Sequence, residues 1–181
     1  MKIYTRAGDK GQTTLLGGKR VAKNCLEMDA IGEIDELNST LGLLISYLQK
    51  KQTKELKILI NIQNNLFNIG ASLAAVQTKL TNIPKIKKTA TDKLEKYIDD
   101  MSEQLPILNQ FILPGGSIVA SLAFQARAIC RRAERVIVDL NSKYKLDKNI
   151  LIFINRLSDF LFMLGRYFNQ QNNVEEITWK K

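Results

Sequence analysis

Arg127, Arg131 and Glu134 stand at i, i+4 and i+7, a spacing that sets two guanidinium groups and a carboxylate along one edge of a helix. With 27 Lys and Arg against 18 Asp and Glu, a net charge of +9 and a pI near 9.6, such a strip favours an anionic partner: a nucleotide, a nucleic acid or an acidic surface. Charge alone does not choose among these, and a solvated face of local ion pairs is the plain alternative. A second row, Asn155, Asp159, Phe162 and Arg166, recurs at i, i+4, i+7 and i+11. Its polar members need partners if buried, and Arg127 or Arg131 could supply them. A third group lies in residues 1–24, where Gly8, Gly11, Gly17 and Gly18 alternate with Thr5, Thr13, Thr14, Arg6, Lys10, Lys19, Arg20 and Lys23. Glycines let backbone amides turn toward a ligand, and hydroxyls and cations complete a phosphate cradle. It is not a Walker A loop, because Gly18-Lys19 lacks the preceding glycine and is followed by Arg20 instead of Ser or Thr. A flexible basic arm is the other reading of this composition.

The sequence contains no histidine, so the usual general base and the commonest transition-metal ligand are absent from any mechanism. Cys25 and Cys130 are far apart, and Cys130 falls on an apolar stripe, which suggests neither a disulfide framework nor a metal cluster and fits a reducing cytoplasm. No signal-peptide pattern opens the chain and no stretch of about 18 apolar residues follows, so a soluble protein without a membrane partner is expected.

Helices must position these residues. The central one is expected from about Ser117, as N-cap, to Leu140, with Val119, Leu122, Ala123, Ala126, Cys130, Ala133, Ile137 and Leu140 as its core stripe. Arg132 and Arg135 point further round it. Others are expected over about Met28 to Lys50, Lys54 to Leu80, from near Thr91 to before Pro106, and Lys148 to Asn169. The second carries Ile60 and Phe67 within its apolar pattern, and the last has Ile152 on a broad apolar side. The lysine-rich stretch around Pro84 reads as a solvated connection. Phe111 to Leu113 is extended, apolar and too short for a partnered strand; its default role is a lead-in with Phe111 packed in the core. No period-two alternation persists long enough for a sheet. The expected fold is all-α: one domain over residues 1–181, with an N-terminal ligand loop at 1–24 and a five-helix bundle at 28–172.

Four stretches together resemble the PduO-type ATP:cob(I)alamin adenosyltransferases, the corrinoid adenosyltransferases: Thr5 to Leu15, Gly32-Glu33-Ile34-Asp35-Glu36-Leu37-Asn38-Ser39, Phe111 to Ser117, and C-R-R-A-E-R from Cys130 with N-R-L-S-D from Asn155. They follow one another across nearly the whole chain. The resemblance implies a homotrimer with active sites between subunits, and attack by the Co(I) nucleophile of a reduced corrinoid on C5′ of ATP, releasing triphosphate. It also implies Mg2+ on the phosphates, and a reductase and an adenosylcobalamin-dependent acceptor enzyme as further partners. By the same resemblance, Thr5, Arg6, Gly8, Thr13, Thr14 and Lys23 form the nucleotide loop, and Arg131, Arg132, Glu134, Arg135 and Asn155 contact ATP. Arg131 would bind the triphosphate, Glu134 the Mg2+, and Phe111 would crowd the corrin's lower face, making these three the catalytic set. Asp35 and Arg127 correspond to an interface salt bridge, whose disruption would cost roughly 3 to 5 kcal/mol.

Two departures stand out: Leu26-Glu27 where the family commonly has Pro-Arg, and Ile31 where it has an aromatic. The tail Glu175-Glu176-Ile177-Thr178-Trp179 resembles the family's end and receives no role from sequence. A non-catalytic basic helical module binding nucleotide or nucleic acid is the rival reading, although carboxylates interrupt the cations and no aromatic platform interleaves them.

Overall fold

The computed structural model describes residues 3–48 and 53–180. Among the described residues five helices form in the expected order: α1 (Leu26–Ser46), α2 (Thr53–Ala74), α3 (Lys88–Ser102), α4 (Ile118–Tyr144) and α5 (Lys148–Gln171). The expected end of the first helix at Lys50 lies outside the described residues, as do Met1, Lys2 and Lys181. In space, α1 packs on α2 and α4, α4 on α5, and α5 on α3, so α4 is central.

Burial follows helical periodicity. Ala30, Ile34, Leu37, Leu41 and Leu44 of α1 are buried, and they face Ala126, Cys130, Ala133, Ile137 and Leu140 of α4 within one continuous core. Leu157, Leu161, Leu164 and Phe168 extend that core from α5. Three expectations fail: Ile60, Phe67 and Ile152 are exposed, because each lies off the stripe that its own helix buries. Ser117 caps α4 as its sequence predicts, its hydroxyl accepting from the Ala120 amide at 3.3 Å, a bond worth about 1 kcal/mol. Asp147 does the same for α5. Helix α2 ends six residues early, in turns over Ala75 to Thr78, and α3 starts three residues early. The α4 helix runs one turn past Leu140 and stops at Lys145, which takes a left-handed conformation (φ 40°).

Two extended features were not expected. Residues 12–22 form a hairpin of β1 (Gln12–Thr14) and β2 (Arg20–Ala22), with Thr13 opposite Val21. Three residues per strand are too few for alternation to register in a sequence. The Phe111 segment does find a partner, the C-terminal tail: Ile112 bridges Thr178, the Leu113 amide donates to the Ile177 carbonyl at 2.8 Å, and the Trp179 amide to the Phe111 carbonyl at 2.7 Å.

Candidate active site

The edge of α4 meets α5 through Glu134, whose Oε1 accepts from Asn155 Nδ2 at 2.9 Å. The partner of Asn155 is therefore Glu134, not Arg127 or Arg131. The rest of the α5 row divides. Asp159 Oδ2 accepts from Arg156 Nη1 at 2.6 Å, while Arg166, only 4% exposed, binds Glu176 at 2.7 and 3.0 Å and the Pro106 carbonyl at 2.9 Å. One helix face is thus divided among α4, a residue of α5 itself, and the tail with the Pro106 segment.

Arg131 is exposed and, among the described residues, its side chain has no ion-pair partner. Arg135 lies over it and donates to the Arg131 carbonyl at 3.2 Å. Arg132 turns to α1, where its Nε reaches Glu33 at 2.7 Å and its Nη2 reaches Glu36. Hydrogen bonds that it donates to Glu36 and Glu33 stabilise its charged form and raise its pKa. Even so, Arg132, Glu134 and Arg135 line a common concavity of about 610 Å³ with Val136 and Asp139. Helical phase separates their Cα positions, but long guanidinium side chains span the difference.

A second and larger cleft, about 710 Å³, is lined by Leu108, Phe111, Arg127, Arg156, Asp159 and Phe162. Phe111 is 77% exposed and is not a core residue. Its ring meets Trp179 edge-on, with centroids 6.4 Å apart and planes at 68°. Arg127 lies over the Phe162 ring at 5.4 Å, within cation–π range. Arg156, a residue of the N-R-L-S-D stretch to which sequence reasoning assigns no role, spans from Asp159 to Glu95 of α3, the latter at 3.0 Å. Those bonds, the one to Glu95 first, raise its pKa. The i, i+3 spacing of Arg156 and Asp159 was the available signal. Cys130 is structural: it donates to the Ile154 carbonyl at 3.3 Å, and burial pushes its thiol pKa up.

Behind the Phe111 segment, the turn at Gly115-Gly116-Ser117 is clamped by buried Asn169. Its Oδ1 accepts from the Ser117 amide at 2.9 Å and its Nδ2 donates to the Gly115 carbonyl at 2.8 Å. Gly116 has φ +108°, and a Cβ there would sit 2.3 Å from Asn169 Oδ1, so both backbone and space require glycine.

In the N-terminal loop, Arg6 has φ 58° and its guanidinium lies over Tyr4 at 5.6 Å. Lys23 Nζ packs within 3.0 Å of where a Gly8 Cβ would be, and the Lys23 amide binds the Gly11 carbonyl at 2.9 Å. Thr13 and Thr14 sit on β1, and the Thr5 hydroxyl accepts from the Ala7 amide at 3.4 Å. Gly8 and Lys23 are thereby gathered beside the hairpin that carries Thr13 and Thr14. Among the described residues, no hydrogen bond or ion pair within the chain joins this loop to Arg131, Glu134 or Asn155, nor Asp35 to Arg127. No group of three or more His, Cys, Asp or Glu among them could hold a metal ion, and no helix among them is long and apolar enough to cross a membrane. A lone carboxylate suits a hard cation that takes most of its ligands from phosphate oxygens and water.

Residues 3–168 match the family model for cobalamin adenosyltransferase. The chain belongs to that family. It is 38% identical over 180 residues to a cobalamin adenosyltransferase of Cupriavidus metallidurans, covering 99% of this chain and 95% of the relative. It is 39% identical to a corrinoid adenosyltransferase of Bacillus subtilis, covering 100% of this chain and 93% of the relative. The fold superposes with a TM-score of 0.95, at 39% identity, on a variant PduO-type ATP:corrinoid adenosyltransferase from Lactobacillus reuteri complexed with cobalamin and ATP. That alignment covers 99% of this chain and 100% of the other. The five-helix bundle of this chain is thus shared with that solved structure.

Proposed function

We propose that this chain transfers the 5′-deoxyadenosyl group of ATP to the Co(I) centre of a reduced corrinoid. The observation that carries this reading is the match, over 99% of the chain, to an enzyme complexed with both reactants. The Co(I) electron pair forms the Co–C bond to C5′, the C5′–O bond breaks, and its electron pair leaves with triphosphate. Cobalt becomes formally Co(III). No protein base is needed, in keeping with a sequence that has no histidine.

The protein's work is placement and charge. The N-terminal loop residues Thr5, Arg6, Gly8, Thr13, Thr14 and Lys23 wrap the nucleotide, and exposed Arg131 neutralises the triphosphate, with Arg132 and Arg135 beside it. Asn155 fixes the Glu134 carboxylate, which holds Mg2+ directly or through water; that ion would supply charge compensation on the phosphates. Phe111 enters the corrin's lower side and displaces the axial base, so that the four-coordinate Co(II) precursor accepts an electron from a reductase more readily. Its exposure and the apolar cleft beside it favour this role over core packing. The sites complete themselves between subunits of a homotrimer, with Asp35 of one protomer pairing with Arg127 of the next. Among the described residues, no hydrogen bond or ion pair joins those two within one chain, which accords with this pairing. Two free cysteines and the need for a strongly reducing corrinoid chemistry support a cytoplasmic location. An acceptor enzyme for adenosylcobalamin is the remaining partner. A nucleic-acid module is disfavoured because Arg132, Arg156 and Arg166 are all paired with carboxylates.

The test mixes the protein with ATP, Mg2+ and chemically reduced cobalamin and follows the loss of cob(I)alamin absorbance. No acceleration over the protein-free control would overturn the assignment. Arg131→Ala should raise the ATP requirement with the fold intact; an unchanged requirement removes Arg131 from the site. A monomer by light scattering at micromolar concentration would refute the shared site.

A further inference from the structure

Glu27, in the first turn of α1, is 1% exposed, although charged residues are seldom so buried. Its Oε1 accepts from Gln77 Nε2, at the turn after α2, and lies 3.7 Å from Lys143 Nζ at the end of α4. The Tyr144 hydroxyl and Cys25 thiol also bond to it. On its far side, the Gln77 amide oxygen accepts from Lys19 Nζ, in the turn of the hairpin. The same turn rests on the segment after α2: the Leu16 amide donates to the Ala74 carbonyl at 3.1 Å, and a Cβ on Gly17 would meet Thr78 at 2.6 Å. Leu15 is buried beside it. The glycine-rich segment is thus tied to the bundle through Leu15 to Lys19.

From this geometry we infer that Glu27 and Gln77 are positioning residues for the N-terminal hairpin and, through it, for ATP; the second clause rests on the assignment of the hairpin to the nucleotide. A primary amide has a donor end and an acceptor end, and an ionised carboxylate can only accept. Glu27 therefore obliges Gln77 to present its NH2 inward, which turns its carbonyl outward to Lys19. Burial alone would raise the Glu27 pKa, but hydrogen bonds from Tyr144, its own backbone amide and Cys25, together with the Lys143 charge, hold it down at about 2. The carboxylate thus stays in its accepting form throughout the physiological range.

The experiment compares Glu27→Gln and Gln77→Leu with the wild type by amide hydrogen exchange over residues 12–22 and by steady-state kinetics. Glutamine at position 27 offers both donor and acceptor, so the Gln77 amide loses its single orientation. Leucine at position 77 breaks the link to Lys19 and leaves Lys143 and Tyr144 on Glu27, which keeps the test informative if Glu27→Gln folds poorly. Exchange of the hairpin should quicken about tenfold and the KM for ATP should rise about fivefold, with kcat and the KM for corrinoid unchanged and α4 and α5 exchange unaltered. The double variant should be no worse than Gln77→Leu alone. Wild-type hairpin exchange in Gln77→Leu would overturn the tether. Faster exchange with an unchanged KM for ATP would overturn its extension to the nucleotide, and leaves adenosyl transfer itself to be judged by the cob(I)alamin assay.

Discussion

The N-terminal hairpin and the C-terminal tail both lie on the bundle, but by different forces. The hairpin presents one buried apolar side chain, Leu15, one backbone bond to Ala74, and the polar path through Lys19, Gln77 and Glu27. The tail is paired along its backbone to the Phe111 segment and is pinned by a buried guanidinium, Arg166, on Glu176. Side-chain contacts that end in an exposed lysine can open locally at little cost, whereas releasing the tail takes the carboxylate from buried Arg166 and breaks the backbone pairing to the Phe111 segment. A segment that must admit and release a nucleotide suits the first kind of attachment. A segment that holds an aromatic wedge suits the second.

The sharpest way to break this comparison is Arg166→Ala. It leaves Glu176 and the Pro106 carbonyl without their partner and should lower stability by about 3 to 5 kcal/mol, read from urea denaturation. A loss below about 1 kcal/mol would mean that the tail is no better anchored than a surface ion pair. Next in size, Gly116→Ala forces a side chain into a left-handed backbone and against Asn169; a cost of about 2 to 3 kcal/mol is expected in the same measurement. Trp179→Ala should leave stability within about 1 kcal/mol but reduce kcat about tenfold with the KM for ATP unchanged, because it removes the edge-on support of Phe111. Trp179→Phe should recover most of that loss, and a change in the KM for ATP instead would place Trp179 with the nucleotide.

The smallest effect concerns pH and the other end of the chain. Glu27 has a folded-state pKa of about 2, below its ordinary 4.5. Its contribution is therefore fully present above about 4.5 and is lost as pH falls toward 2. Hairpin exchange, corrected for its intrinsic pH dependence, should be flat from pH 8 to 5 and quicken below 4.5. Glu27→Gln should remove the acid-side change. Persistence of that change in the variant would assign it to another carboxylate.

The contrast also explains what was legible in the sequence. The core stripes of α1 and α4 and the Ser117 cap were readable because each is a local pattern with a period or a fixed offset. The row on α5 was recognised, and so was its need for partners on α4. That Asn155 chose Glu134 was not, since several α4 residues stand within reach and only the interhelical geometry selects among them. The site stretches could be named through the family resemblance, yet their physical supports could not. Lys19, Gln77, Glu27 and Tyr144 are joined across long sequence separations by single side-chain contacts, which leave no periodic trace. Phe111 and Trp179 meet for the same kind of reason: an isolated bridge of a few residues looks like any apolar turn or tail.

Asn169 has a consequence beyond holding a turn. By gripping the Gly115 carbonyl and the Ser117 amide, it fixes the residue at which α4 begins. Each residue of slip at that origin would turn the whole helix by about 100°. The azimuth of Arg131 and Glu134, several turns downstream, is therefore indexed from one buried amide on α5, the helix that also supplies Asn155.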